Sequence, residues 1–125
     1  MAIVTEHSVK TGDHQTFYLA TGPEDGPPVI FCHGWPELSL SWRHQLQCLG
    51  DLGFRAIAPD MRGYGRTDKV ETPYSFDDLV GDVIAVCGQE SVTNGILAGA
   101  SMGSKIAFKL GVDYPDLFQA QIHVG

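Results

Sequence analysis

Three short apolar runs, "PVIFCHG", "FRAIAPD" and "GILAGA", punctuate this chain, each cut off by glycine or proline and too short for a helix. Continuous runs of this kind suit strands buried on both faces of a parallel sheet, because a half-wet strand would alternate polar and apolar residues. Between them the period changes to that of a helix. "SLSWRHQLQCLGDLG" puts Trp42, Leu46, Leu49 and Leu52 on one side and is closed by Gly53. Ser75 is placed as the N-cap of a second helix, with Asp77 and Asp78 in its first turn and Phe76, Val80, Val83 and Cys87 as its apolar stripe. A third helix is expected from Met102 to about Asp113, stopped by "DYP", and "AQIHVG" follows as a last strand. Upstream, "IVTEHSV" and "QTFYLATG" read as a hairpin turning at "KTGDH", and "TGPEDGPP" reads as a loop. The order β-β-β-α-β-α-β-α-β implies an α/β fold: a mostly parallel open sheet with helices on both faces and antiparallel first strands.

The 125 residues suit one domain, 1–125, without repeats or linkers. Fifteen acidic against eight basic residues give a net charge of −7, with no basic cluster, which excludes a nucleic-acid partner. No apolar stretch is long enough to span a bilayer, and the N-terminus lacks a basic segment followed by an apolar one, so a cytoplasmic protein without membrane attachment is expected. Cys32, Cys48 and Cys87 match no metal or redox spacing and are expected to be buried free thiols; no metal and no cofactor is expected. A catalytic Cys32 beside His33 is the sharper alternative for that pair.

In open α/β sheets, chemistry gathers beyond the C-terminal ends of the strands. Three segments reach that edge: His33-Gly34-Trp35, Asp60 to Gly65, and Ser101. Gly99-Ala100-Ser101-Met102-Gly103 lies between an expected strand and an expected helix, the context of a nucleophile elbow. A sharp strand-to-helix turn strains the central residue, requires small neighbours, and exposes the serine oxygen to the helix N-terminal amides, with that of Met102 poised to stabilise an oxyanion. The competing reading of Ser101 is a helix N-cap.

Together, "HGWPE", "SWRHQ" and "FRAIAPDMRGYGRTD" resemble the α/β-hydrolase superfamily, most closely its epoxide hydrolase and haloalkane dehalogenase branch. The resemblance implies that the backbone amide of Trp35 is a second oxyanion donor, supported by His33 and Gly34, with Gly99 and Gly103 shaping the elbow. It also implies an aspartate nucleophile, whereas this chain has Ser101; "GASMG" is similar to the serine-bearing esterase, lactonase and haloperoxidase branches. A serine acting on an ester gives an acyl-enzyme, so ester, thioester or lactone hydrolysis is expected.

A serine needs a base. The only histidine after Ser101 is His123, inside the last strand, and it is expected to be a core or edge residue rather than the base. His33 is expected to shape the turn, and Asp60 and Arg62 to fix the loop around Gly63 and Gly65. By the resemblance, the chain is the N-terminal half of a hydrolase core, ending where a lid would begin, with the acid and base lying beyond. Three readings therefore stand: the nucleophile-bearing half of an ester hydrolase; an epoxide hydrolase-like protein whose aspartate is replaced by serine; and a non-catalytic or engineered α/β module that dimerises through its exposed sheet edge. The expected partners are a small-molecule ester or epoxide, and a complementary C-terminal half or a second copy on edge strand 120–124.

Overall fold

The computed structural model describes residues 2–34, 37–69 and 75–124. Six strands form one sheet: β1 (Thr5–Thr11), β2 (His14–Thr21), β3 (Pro28–Cys32), β4 (Arg55–Pro59), β5 (Gly95–Ala100) and β6 (Phe118–Val124), in the order β1-β2-β4-β3-β5-β6. β1 pairs with β2, and β2 with β4, antiparallel; the remaining three pairings are parallel. The expected element order and the antiparallel opening hairpin are both present. Helix α1 (Arg43–Asp51), preceded by a 3-10 turn at Ser39–Trp42, covers one face; α2 (Phe76–Gln89) and α3 (Met102–Asp113) cover the other.

The apolar runs are continuous because successive side chains feed two cores. Along β3, Val29 and Phe31 pack toward α1, whereas Ile30 and Cys32 pack toward α2 and α3. Along β4, Ala56 and Ala58 take the α1 side and Ile57 the other. Small residues on the α1 side let that helix approach closely, and Leu46 is its fully buried anchor.

The helix ends follow from local chemistry. Ser75 Oγ accepts the Asp78 N–H, and the Asp78 carboxylate accepts the Ser75 N–H, closing a capping box on α2. Helix α1 ends in a Schellman arrangement: Phe54 N–H donates to Leu49 C=O, Gly53 N–H donates to Gly50 C=O, and Gly53 has a φ of +95°. The helix thus stops at Asp51, and Leu52, expected on the apolar stripe, is instead 68% exposed. Phe76 departs likewise: it occupies the first turn of α2 and is 44% exposed, and the stripe is buried only from Leu79 and Val80 onward. Cys48 borders an open groove between α1 and the sheet and is exposed, against the expectation that all three thiols are buried. No helix among the described residues is long and apolar enough to cross a membrane.

Candidate active site

The end of β5 carries the main feature. Ser101 has φ +57° and ψ −119°, a backbone conformation that costs on the order of 1–3 kcal/mol for a non-glycine residue. The turn is held from both sides: Ser101 N–H donates to Val124 C=O at 3.0 Å, and Ser104 N–H donates to Ser101 C=O at 3.0 Å. A serine N-cap ordinarily has extended backbone and accepts an amide with its hydroxyl. Ser101 does neither: its side chain makes no capping hydrogen bond and is exposed. Met102 follows at the first position of α3.

The flanking glycines are steric requirements. A Cβ on Gly99 would lie 2.5 Å from Gly103 C=O, and one on Gly103 would lie 2.0 Å from Cys32 C=O. These contacts are with backbone, which cannot move aside, so the start of α3 packs against the ends of β3 and β5 only with both glycines in place. Gly34 brings the end of β3 against the same turn, where a Cβ would meet Ala100 C=O and Ser101 Cβ, each at 2.7 Å. The next residue, Trp35, proposed from the sequence as an oxyanion donor, lies outside the described residues.

His33 is buried behind this turn with both nitrogens engaged. Nε2 accepts the Met61 N–H at 2.9 Å, which leaves the proton on Nδ1, 3.0 Å from Gly34 C=O. Burial pushes the imidazole below its ordinary 6.5, although the Gly34 carbonyl and the Asp60 and Glu37 charges act in the other direction. It is a neutral strut between two loops, with no lone pair left for a serine. Asp60 is equally committed: its carboxylate accepts the Ser39 N–H at 2.7 Å and the Arg66 N–H at 3.0 Å, and its carbonyl accepts from Thr67 Oγ1. Arg62 grips Asp82 of α2 through two hydrogen bonds of 2.9 and 2.8 Å. Asp60 and Arg62 therefore build the loop. Cys32 is excluded from nucleophilic work, because burial, with the neighbouring Cys87, pushes its thiol up to about 12.

His123 stands exposed on β6, on the α3 side, where its Nδ1 meets Ser104 Oγ rather than Ser101, and its Nε2 is 2.8 Å from Gln121 Oε1. Ser104 carried no motif that would single it out, and a period-2 reading of "AQIHVG" was the only signal that His123 and Gln121 share a face. No group of three or more His, Cys, Asp or Glu side chains among the described residues could hold a metal ion.

Residues 27–125 match the α/β hydrolase fold family. Epoxide hydrolase 1 of Siraitia grosvenorii is 39% identical over 121 residues, covering 95% of this chain and 38% of that protein. Epoxide hydrolase 2 of the same organism is 41% identical over 101 residues, covering 79% of this chain and 32% of that protein. The crystal structure of an epoxide hydrolase from Vigna radiata superposes with a TM-score of 0.91 at 33% identity, covering 98% of this chain and 40% of that one. The chain thus spans between 32% and 40% of the length of these three relatives.

Proposed function

The chain belongs to the α/β-hydrolase fold family, on its epoxide hydrolase-like branch, and from that premise we propose that Ser101 is the nucleophile of an acyl-ester hydrolase. The observation that carries this reading is the strained, exposed Ser101 whose hydroxyl is not used as a cap. In the proposed step, the base takes the Ser101 proton as Oγ attacks the ester carbonyl, and the amides of Met102 and Trp35 receive the oxyanion. The carbon–alkoxy bond then breaks, the alcohol leaves with that proton, and water later cleaves the acyl-enzyme to the acid. The chemistry of the side chain selects esters over epoxides. A carboxylate that opens an epoxide leaves an ester that water can cleave, whereas a serine would leave an ether with no carbonyl to attack.

Neither His33 nor His123 is free to act as the base, since His33 is committed on both nitrogens and His123 is bonded to Ser104. We propose that acid and base come from a complementary segment or chain that adds to the free edge of β6, with a second copy of this chain as the alternative occupant. An oxyanion hole and binding alone retain on the order of 10³–10⁴-fold catalysis over water. A fluorophosphonate probe should therefore label Ser101 slowly, and added imidazole should accelerate the labelling by replacing the base. Intact mass spectrometry of the folded chain and of Ser101→Ala tests this. An imidazole-dependent adduct lost in the variant supports the reading, and its absence overturns it.

A second reading is favoured by the likeness to three epoxide hydrolases: serine stands where the resemblance implies an aspartate, and the site is silent toward epoxides. Ser101→Asp should then gain a covalent ester adduct with a small aryl epoxide; no adduct would rule this out.

A further inference from the structure

A second hydroxyl in this fold has what Ser101 lacks among the described residues, a histidine bonded to it. Ser104 sits one turn into α3, and its Oγ is hydrogen-bonded to His123 Nδ1. His123 Nε2 lies 2.8 Å from Gln121 Oε1. A carboxamide oxygen only accepts, so Nε2 carries the proton and donates to it. That fixes the tautomer: Nδ1 holds the lone pair, and the Ser104 hydroxyl donates into it. Gln121 also packs against α3, for a Cβ on Gly111 would lie 1.7 Å from Gln121 Nε2. The carboxamide thus occupies the space a side chain at 111 would fill, with its oxygen turned to the imidazole. β6 carries Gln121 and His123 on one face because they are two residues apart, and that face is the one turned to α3.

Nucleophile, base and orienting group form an unbroken chain of hydrogen bonds, the relation that activates a serine. Ser104 is half-buried and His123 is exposed, so small molecules can reach the hydroxyl. We propose that Ser104 is a second acylation site, with His123 as its general base and Gln121 as the positioning residue, and that it takes small activated acyl donors such as aryl esters. In the step, Ser104 Oγ forms a bond to the acyl carbon while its proton passes to His123 Nδ1. The bond from that carbon to the aryl oxygen breaks, and the phenol leaves with the proton from Nδ1. Gln121 lacks a carboxylate's charge and stabilises the imidazolium less than an acid would, so acylation is slow and is read as stable labelling.

The test uses p-nitrophenyl acetate on the folded chain in the Ser101→Ala background, which removes the elbow hydroxyl. One acetyl group should be acquired without added imidazole and located at Ser104 by peptide fragmentation. It should disappear in Ser101→Ala/Ser104→Ala and slow by about 10²–10⁴-fold in Ser101→Ala/His123→Asn, the usual contribution of a general base. Gln121→Glu should accelerate it, since a carboxylate stabilises the imidazolium; a merely structural hydrogen bond would give no acceleration. No acetyl group at Ser104, or labelling indifferent to both His123→Asn and Gln121→Glu, overturns the proposal. The proposed function stands or falls separately, on the imidazole-dependent adduct at Ser101.

Discussion

Gly34 and Ser101 are in such close approach that a methyl group on Gly34 would sit 2.7 Å from Ser101 Cβ and 3.3 Å from its Oγ. The same methyl would lie 2.7 Å from the Ala100 carbonyl, which is part of the β5 backbone and cannot turn away. Gly34→Ala should therefore push the end of β3 from the elbow and destabilise the fold by roughly 1–3 kcal/mol, as overpacking does. Urea denaturation measures the loss, and slower fluorophosphonate labelling of Ser101 reports the displaced turn. An unchanged midpoint would show that the two segments are not packed this closely.

At the opposite end of the sheet, Arg55 and Glu90 form a buried pair, Nε to Oε1 at 2.7 Å, and Tyr18 donates to Glu90 Oε2 at 2.7 Å. Burial alone would raise the Glu90 carboxyl, but the hydrogen bonds from Arg55 and Tyr18 and the Arg55 charge hold it below its ordinary 4.5. A depressed folded value means that the unfolded chain binds the proton first as pH falls. The stabilisation from Glu90 is therefore complete well above 4.5 and is lost as pH drops below it. His33, also depressed, adds a loss that begins below 6.5. Tyr18, raised chiefly by burial and then by Glu90, acts in the other direction: its contribution holds below its ordinary 10.0 and declines as pH climbs beyond. Urea midpoints should form a plateau between the two flanks, and Glu90→Gln should flatten the acid one below 4.5. At neutral pH, Glu90→Ala should cost about 3–5 kcal/mol, because it leaves Arg55 buried without its partner.

Ser75→Ala removes the hydroxyl that accepts the Asp78 N–H and leaves the first turn of α2 with an unsatisfied amide. The expected cost is about 1 kcal/mol, the usual value of an N-cap. Thermal unfolding followed by circular dichroism reads it, and Ser75→Asp, which keeps an acceptor at the position, should restore most of the loss.

The parallel core was legible because both faces of β3 and β4 are covered, which forces continuous apolar runs. The helix boundaries at Ser75 and Gly53 were legible because capping is local chemistry. Leu52 and Phe76 misled for the opposite reason: period alone does not reveal where a helix stops or where its stripe becomes buried. In the site, "GASMG" marked the turn, since no larger residue fits at Gly99 or Gly103. The tautomer of His33 and the partner of His123 were beyond reach, because each depends on a contact across many residues: His33 with Met61, and His123 with Ser104. The Arg62–Asp82 clasp was hidden likewise, for a carboxylate at position 82 reads as one more surface charge of α2 until the fold buries it.

The edge of β6, unpaired among the described residues, is the surface on which association can be tested. Among the described residues, β6 pairs only with β5, and Ile122 and Val124 are 54% and 57% exposed. Ile122 also borders an apolar groove under α1 with Phe31, Leu49, Phe54 and Ile96, so edge and groove form one continuous surface. An unprotected edge beside apolar area invites strand pairing. Sedimentation velocity should accordingly show concentration-dependent association of the isolated chain. Ile122→Lys, which places a charge on that surface without touching the core, should shift it toward monomer. A single monomeric species at high concentration would remove the case for edge pairing between copies, and would leave the proposed complementary segment as the remaining occupant to test.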